Sequence, residues 1–485
     1  MASRSRRLLI LAICSLSLLI VGLDTTIVNV ALPAIHRSFH ASLSGLQWTI
    51  DAYTLVLASL LMLSGSTADR VGRKRVFQLG LALFALGSLL CALAPSLGLL
   101  VSARVIQAIG GSMLNPVALS IIRNVFEDPR ERARAFGVWG GVVGLSMALG
   151  PVLGGALVDS VGWRAVFVVN VPVAVVALVL TALFVPESRA PHARRIDPVG
   201  QGLVIVALAA LTYAIIDGPS SGWLSARSLV LGAVSLAAFA GLVLYELRRA
   251  EPLIEVRFFR SAPFSGASVI AVCAFAALGG FLFLNTLYLQ DVRGLSPLHA
   301  GLYTLPMAVM TLVLAPLSGR LVGSRGARAP LVIGSLALVA SAALLTRLTA
   351  STSFAVLIAA YVLFGIGFGF VNPPITNTAV SGMPPSQTGV AAAVASTGRQ
   401  VGVTLGVAVL GALAGGGAAG AVGRGFPAAT HASWWILVAL GAVVLVLALL
   451  TTTPWALRTA RETAERLDER PRSSPPAARA LGPAQ

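Results

Sequence analysis

Acid is what this chain has least of. Its 485 residues hold 18 Asp and Glu against 35 Lys and Arg, and charged residues of both signs reach only 11% where hydrophobic ones reach 56%. So little charge excludes an ordinary soluble domain, in which about a quarter of the residues are charged. Lysine occurs once, at Lys74, and the net charge of +17 comes from arginines scattered in short clusters between apolar runs. A scattered charge is not a nucleic-acid-binding patch, and no nucleic-acid partner is expected. Three cysteines, Cys14, Cys91 and Cys273, fall inside apolar runs without CxxC spacing, so neither a disulfide framework nor a metal or cofactor site is expected. No phosphate-cradling ATP loop occurs, so any work done must draw on a gradient or on the substrate itself. Paired Asp-x-x-Asp clusters are absent too, which argues against a membrane enzyme acting on lipids or prenyl chains.

Apolar runs, by contrast, are abundant. Fourteen can be marked, near 8–30, 46–64, 76–94, 99–122, 134–157, 164–185, 199–217, 228–247, 264–289, 299–318, 330–347, 354–378, 391–414 and 432–453. Each is long enough to cross a bilayer as a helix, and the chain reads as an all-α polytopic membrane protein. Arg6-Arg7 before the first run resembles a secretory signal, but the run continues into Asp24-Thr25-Thr26 with no convincing cleavage site, so it is expected to be a first transmembrane helix. An even number of spans puts both termini on one side. That side, with its loops, holds 27 of the Lys and Arg residues, whereas the opposite loops hold six: Arg37, Arg164, Arg227, Arg293, Arg347 and Arg424. The positive-inside rule then makes both termini cytoplasmic in the cell membrane.

The chain also repeats. Gly65 to Lys74 realigns on Gly319 to Arg328 at an offset of 254, Asn115-Pro116 on Asn372-Pro373 at 257, and Gly150 and Gly155 on Gly406 and Gly411 at 256. These landmarks predict two pseudo-symmetric six-helix halves, 1–186 and 263–453, around two inserted helices within 187–262, with a largely disordered cytoplasmic tail at 454–485. Facing halves about a central cavity are the plan of an alternating-access carrier.

Within this apolar matrix the few polar groups stand out. Asp24 lies some sixteen residues into the first run, roughly 24 Å along a helix at ~1.5 Å per residue. A carboxylate at that depth costs several kcal/mol unless paired, hydrated or protonated, which makes it a candidate proton carrier. Arg104 enters the fourth helix from the outer side at a similar depth, as does Asp51 in the second, and a permanently charged arginine can compete with the proton for a nearby acid. The bland alternatives are that Asp24 is structural, Arg104 snorkels to the interface and Asp51 caps its helix. Gln107 falls one turn beyond Arg104, and with Asn29, Asn115, Asn372 and Arg399 it is a possible wall of a substrate cavity. Apart from these, the apolar cores of helices nine to thirteen contain no acid.

Two further strings carry sequence specificity. The densely charged Gly65-Ser66-Thr67-Ala68-Asp69-Arg70-Val71-Gly72-Arg73-Lys74-Arg75 between the second and third runs predicts a tight turn at one membrane face. Its repeat mate has Gly323 in place of Asp69. Helix five carries Gly144 and then Gly150-Pro151-Val152-Leu153-Gly154-Gly155, where small residues at four-residue spacing admit a close neighbour and Pro151 bends the rod.

The charged string resembles the loop between helices two and three of the major facilitator superfamily. Together with Leu23 to Pro33, Trp48, Tyr53, the Arg104 segment, the Gly150 to Gly155 string, Gly162-Trp163-Arg164 and Asn170-Val171-Pro172, the chain before its tail resembles the fourteen-helix drug:proton antiporter branch of that superfamily. One departure is Ala108, where the helix-four motif usually has glycine. The resemblance implies that Asp24 and Arg104 take part in proton coupling. It also implies that Gly65, Asp69, Arg70, Gly72 and Arg73 form a cytoplasmic gate, and that Gly144, Gly150, Pro151, Gly154 and Gly155 seal or pace the cavity. Branch members that select divalent organic cations tend to have extra membrane acids in the second half, which are absent here.

The expected function is a proton-coupled antiporter, monomeric in the lipid bilayer, that exports a small hydrophobic substrate while protons move inward. Export of a single endogenous metabolite is the alternative, with an integral-membrane lipid-modifying enzyme as a remote one.

Overall fold

A computed structural model describes residues 4–190, 196–249, 252–381, 383, 387–416 and 425–468. Among them fourteen helices are long and apolar enough to cross a membrane. They are α1 (Arg4–Phe39), α2 (Leu43–Val71), α3 (Arg73–Leu93), α4 (Leu97–Val125), α5 (Pro129–Ser160), α6 (Ala165–Phe184), α7 (Pro198–Ser221), α8 (Ala226–Arg248), α9 (Ala262–Val292), α10 (Pro297–Arg325), α11 (Arg328–Leu345), α12 (Phe354–Val380), α13 (Thr388–Gly416) and α14 (Phe426–Thr451). No strand occurs among the described residues. Many helices outrun the apolar segments, because their polar ends continue the backbone ladder beyond the hydrocarbon.

Punctuation of the helices is local. Ser42, Ser96, Asp128, Asp197, Ser225, Ser261, Ser296 and Ser353 each accept a bond from a backbone N–H of the helix that follows. The charged stretch after Gly65 is less of a turn than its composition predicts. α2 continues through Val71, and Gly72 alone, with φ at 129°, reverses the chain before Arg73 opens α3. A side chain at Gly72 would also strike the Glu187 carboxylate.

α1 packs on α5, α3 on α4, and α2 on α4. In the second half α9 packs on α13, α10 on α12, and α11 on α12 and α14. The halves meet along two seams, α5 against α10 and α2 against α13. α7 and α8 pair with each other, and α7 also lies against both α2 and α13. Beyond α14 an amphipathic helix, α15 (Pro454–Asp468), docks on the start of α9, where Thr459 Oγ1 accepts from Ala262 N at 3.0 Å. The first fifteen residues of the tail are thus helical, with Glu462 and Arg466 one turn apart and buried Ala456 and Ala460 giving an apolar face; the remainder of the tail, and Arg424, lie outside the described residues.

Polar contacts between the halves gather near the face opposite the termini. Gln47 Nε2 donates to Val407 O (3.0 Å) and Ala408 O (2.8 Å), and Gln290 Nε2 donates to Val30 O (2.9 Å). Arg37 pairs with Asp291 at 3.3 Å. Asp159 Oδ2 accepts from Ser296 Oγ (2.8 Å) and Leu298 N (2.9 Å). These contacts hold the two halves together at the opposite face.

Candidate functional site

Asp24 and Arg104 meet in the middle of the first half. The carboxylate is 0% exposed, the guanidinium residue 1%, and Arg104 Nη1 donates to Asp24 Oδ2 at 2.5 Å. Asp24 Oδ1 accepts from Gln107 Nε2 (2.8 Å) and from Asn170 Nδ2 (3.0 Å). Arg104 Nη1 donates as well to Gln107 Oε1 (2.7 Å), and Nε donates to Thr49 O (3.0 Å). Gln107 Nε2 also reaches Ser88 Oγ at 2.9 Å. The guanidinium carbon lies 4.2 Å from the Tyr53 ring centre and 5.8 Å from that of Phe167. Five helices converge: α1 supplies the acid, α4 the base and the amide one turn on, and α2, α3 and α6 the walls.

Such a pair is costly to bury and costlier to break. Removing one partner leaves the other charge stranded at about 3–5 kcal/mol. Neutralising Asp24 with a proton therefore does chemically what a mutation does, and loosens a contact that ties α1 to α4. Arg104 turns inward here rather than out to the interface. Gln107 is 0% exposed and commits its amide to this cluster instead of to an open cavity wall.

Asp51 stands apart. It lies well inside α2, whose cap is Ser42, so it does not cap the helix. Its residue is 0% exposed, and among the described residues no basic side chain pairs with its carboxylate. The neighbouring Thr54 hydroxyl is turned to Ile50 O at 3.4 Å and accepts from Thr404 Oγ1 at 2.8 Å. Gln47, Asp51 and Thr54 share one face of α2, and the first and third bind α13, which places this acid on the seam between the halves.

The charged string at the terminal face is held by its own side chains and by the stretch that follows α6. Asp69 Oδ1 accepts from Arg73 Nε (3.0 Å) and Nη2 (2.8 Å), and Asp69 O accepts from Ala190 N (3.0 Å). Arg73 N donates to Ser188 O at 2.9 Å, Glu187 Oε1 accepts from Lys74 N at 3.1 Å, and Arg70 is exposed. Gly65 lies beside Pro116 of α4.

Glycines of α5 serve two partners. A Cβ at Gly150 would overlap Thr26, and one at Gly154 would stand 2.6 Å from Ile27 Cγ1, both on α1. At Gly155 it would stand 2.5 Å from Pro297 O, and at Gly144 2.9 Å from Leu312 Cδ1, both in α10 of the other half. Pro151 O faces Gly301 at close range, so this string is the floor on which α1 and α10 both rest.

Asn29 donates to Thr25 O at 3.0 Å, keeps Oδ1 free, and borders a small pocket between the halves with Thr26, Pro151, Thr286 and Gln290. Asn115 Oδ1 is likewise buried without a partner, and Asn372 is half-buried on α12. Arg399 Nη2 donates to Thr376 Oγ1 at 2.5 Å. Among the described residues no three His, Cys, Asp or Glu side chains converge where a metal ion could sit.

Sequence spacing alone assigns no role to Ser88, Asn170, Glu187, Asp159 or Asp291. Ser88 and Asn170 are polar interruptions of apolar runs, which was the available signal; the three acids sit at helix ends, where their partners are set by tertiary contact alone.

Comparison with known proteins agrees with this architecture. The Major Facilitator Superfamily profile matches residues 14–407. The Multidrug resistance protein Stp of Mycobacterium tuberculosis is 38% identical over 407 residues, covering 84% of this chain and 76% of that one. The Tetracenomycin C resistance and export protein of Streptomyces glaucescens is 40% identical over 401 residues, 82% and 74% of the two chains. Among solved structures, a bacterial homologue of the human lysosomal transporter Spinster, in an inward-facing and unoccupied conformation, aligns with a TM-score of 0.64 at 19% identity over 96% of this chain and 99% of the other. The D-xylose-proton symporter aligns with a TM-score of 0.65 at 17% identity, covering 92% and 97%. These likenesses carry the fold across most of the chain, and the protein belongs to the major facilitator superfamily.

Proposed function

We propose that the protein is a proton-coupled antiporter that exports small hydrophobic drugs or antibiotics from the cytoplasm by alternating access. The observation that carries this reading is the fully buried Asp24–Arg104 pair together with a second buried acid without an ion-pair partner among the described residues, Asp51, on the seam that must open. The relatives named for multidrug resistance and for resistance to and export of an antibiotic support the substrate class.

In this reading the state held closed at the face opposite the termini is inward-facing, with both termini cytoplasmic in the cell membrane. Asp24 is ionised and held by Arg104, and substrate enters from the terminal face. After the halves rock, protons from the opposite face reach Asp51 and Asp24. Neutral Asp24 releases Arg104, and neutral Asp51 can be buried again against α13 as the opposite face recloses. Asp69, Arg70 and Arg73 with Gly65 and Gly72 act as the cytoplasmic gate, and the Gly144 to Gly155 string as the seal between α1, α5 and α10. Asn29, Asn115, Asn372 and Arg399 face the substrate path. The halves divide at 1–186 and 263–453, with 187–262 as the inserted pair and 454–485 as the tail, and a single chain is the working unit.

The test is proton release from energised inverted vesicles across a panel of hydrophobic compounds. Release driven by several compounds supports the reading; release by none would discard it, and release by one alone would favour an exporter of a single metabolite.

A further inference from the structure

Arg399 is the one membrane-embedded base that the coupling mechanism leaves unused. It lies eleven residues beyond the start of α13 at Thr388, about 16 Å along the helix at ~1.5 Å per residue. α13 is fixed there against α9, since a Cβ at Gly402 would stand 2.5 Å from Val272 O. No carboxylate among the described residues compensates the charge. Among the described ion pairs none includes Arg399, and the only acid within α9 to α13 is Asp291, at the far end of α9 and paired with Arg37. The guanidinium has one neutral hydroxyl, Thr376 Oγ1, on Nη2, while Nε is buried with no acceptor among the described residues. Phe275 lies 5.7 Å from its carbon and packs edge-on against Phe368 at 5.0 Å.

An arginine in hydrocarbon without a counter-charge costs several kcal/mol, and such groups face the bundle interior or a water-filled cavity. A hydroxyl satisfies one donor but not the charge. If Arg399 only tied α12 to α13, its Nε would not be left open.

We infer that Arg399 is a binding site for the acidic group of a substrate, and that the preferred cargo is an amphiphile carrying a single carboxylate or ionised phenol on an aromatic body. The planar fork offers Nε and its neighbouring N–H to a carboxylate in paired bonds, and Phe275 with Phe368 takes the ring. Arg320, Arg325 and Arg328, all exposed at the terminal face of the same half, draw anions towards the opening. This inference rests on the export reading above and names the cargo of that site.

The test uses pyrenebutyrate and its uncharged methyl ester, matched in body and differing in charge, titrated by fluorescence into nanodiscs holding the full chain, with empty nanodiscs subtracted. The wild type should bind the acid at least tenfold more tightly than the ester. Arg399→Gln should remove that difference while leaving ester affinity within twofold, and Arg399→Lys should retain part of it. Equal binding of acid and ester by the wild type, or an undiminished acid preference in Arg399→Gln, overturns the inference. Should the Gln variant fail to fold, the wild-type ratio and its partial retention in Arg399→Lys decide the matter alone. Gradient-driven export of the uncharged dye Nile red separates this inference from the broader reading. Export without an acid preference refutes the anion site and keeps the antiporter, and an acid preference without any driven transport does the reverse.

Discussion

Asp159, at the end of α5, caps the first turn of α10 in the other half by accepting from Leu298 N at 2.9 Å. The cap exists only while the opposite face is closed, because α5 and α10 lie on different sides of a seam. A lost helix cap is worth about 0.5–2 kcal/mol, so Asp159→Ala should move the resting population towards the state open at the opposite face by roughly 2- to 30-fold. Labelling of Asn29→Cys by an impermeant maleimide added at that face should quicken accordingly, whereas an unchanged rate would mean that the cap does not hold the seam. Asp159→Asn keeps an acceptor and should show the smaller effect.

Asp24→Asn should abolish export against a gradient while leaving substrate binding intact. The amide can still accept from Gln107 and Asn170 but cannot cycle a proton. It also strands the Arg104 charge, so thermal stability should fall, and adding Arg104→Gln should cost less than the sum of the two single changes. Concentrative export by Asp24→Asn at the wild-type rate would remove Asp24 from the coupling mechanism.

Arg104→Lys should impair transport at least tenfold despite keeping the charge. One guanidinium reaches Thr49 O, Asp24 Oδ2 and Gln107 Oε1 while lying on Tyr53. An ammonium lacks the flat face and the separate Nε donor, and hydrates more strongly. Vesicle transport of the same compound panel measures it; full activity would show that charge alone suffices.

Asp69→Asn should shift the balance towards the inward-facing state and slow turnover, with little loss of expression. Here Asp69 is held within its own half by Arg73, leaving it to find a base or helix end on the other half only when the terminal face closes. Loss of a charge-assisted contact of a few kcal/mol shifts such an equilibrium at least tenfold. Accessibility of a cavity cysteine from the terminal side is the readout, and no change there with normal transport would reduce Asp69 to a capping role.

The sequence made the architecture legible wherever one residue type was expensive in its setting. Fourteen spans, the pseudo-repeat and the depth of Asp24 and Arg104 all follow from hydrocarbon tolerating neither charge nor open backbone. What the pattern left open was partnership. Nothing in the spacing of Gln107 distinguished a cavity wall from a ligand of Asp24, because helix periodicity orients a face without naming the helix opposite. Asp51 was readable as an intramembrane acid, but its isolation on the α2–α13 seam is a property of two distant segments. The turn near Gly72 was read too long, since charged residues at a helix end resemble a loop in composition.

α7 touches α2 on one side and α13 on the other, and these belong to halves that must swing apart. Gln201 Nε2 donates to Ser59 O of α2 at 2.5 Å, which anchors α7 to the first half. One seam thus carries a cover supplied by the inserted helices, while the α5–α10 seam has no such helix over it among the described residues. The inserted pair thereby turns a machine with two equivalent flanks into one with a covered flank and a bare one, and the bare flank is where lipid meets the moving parts.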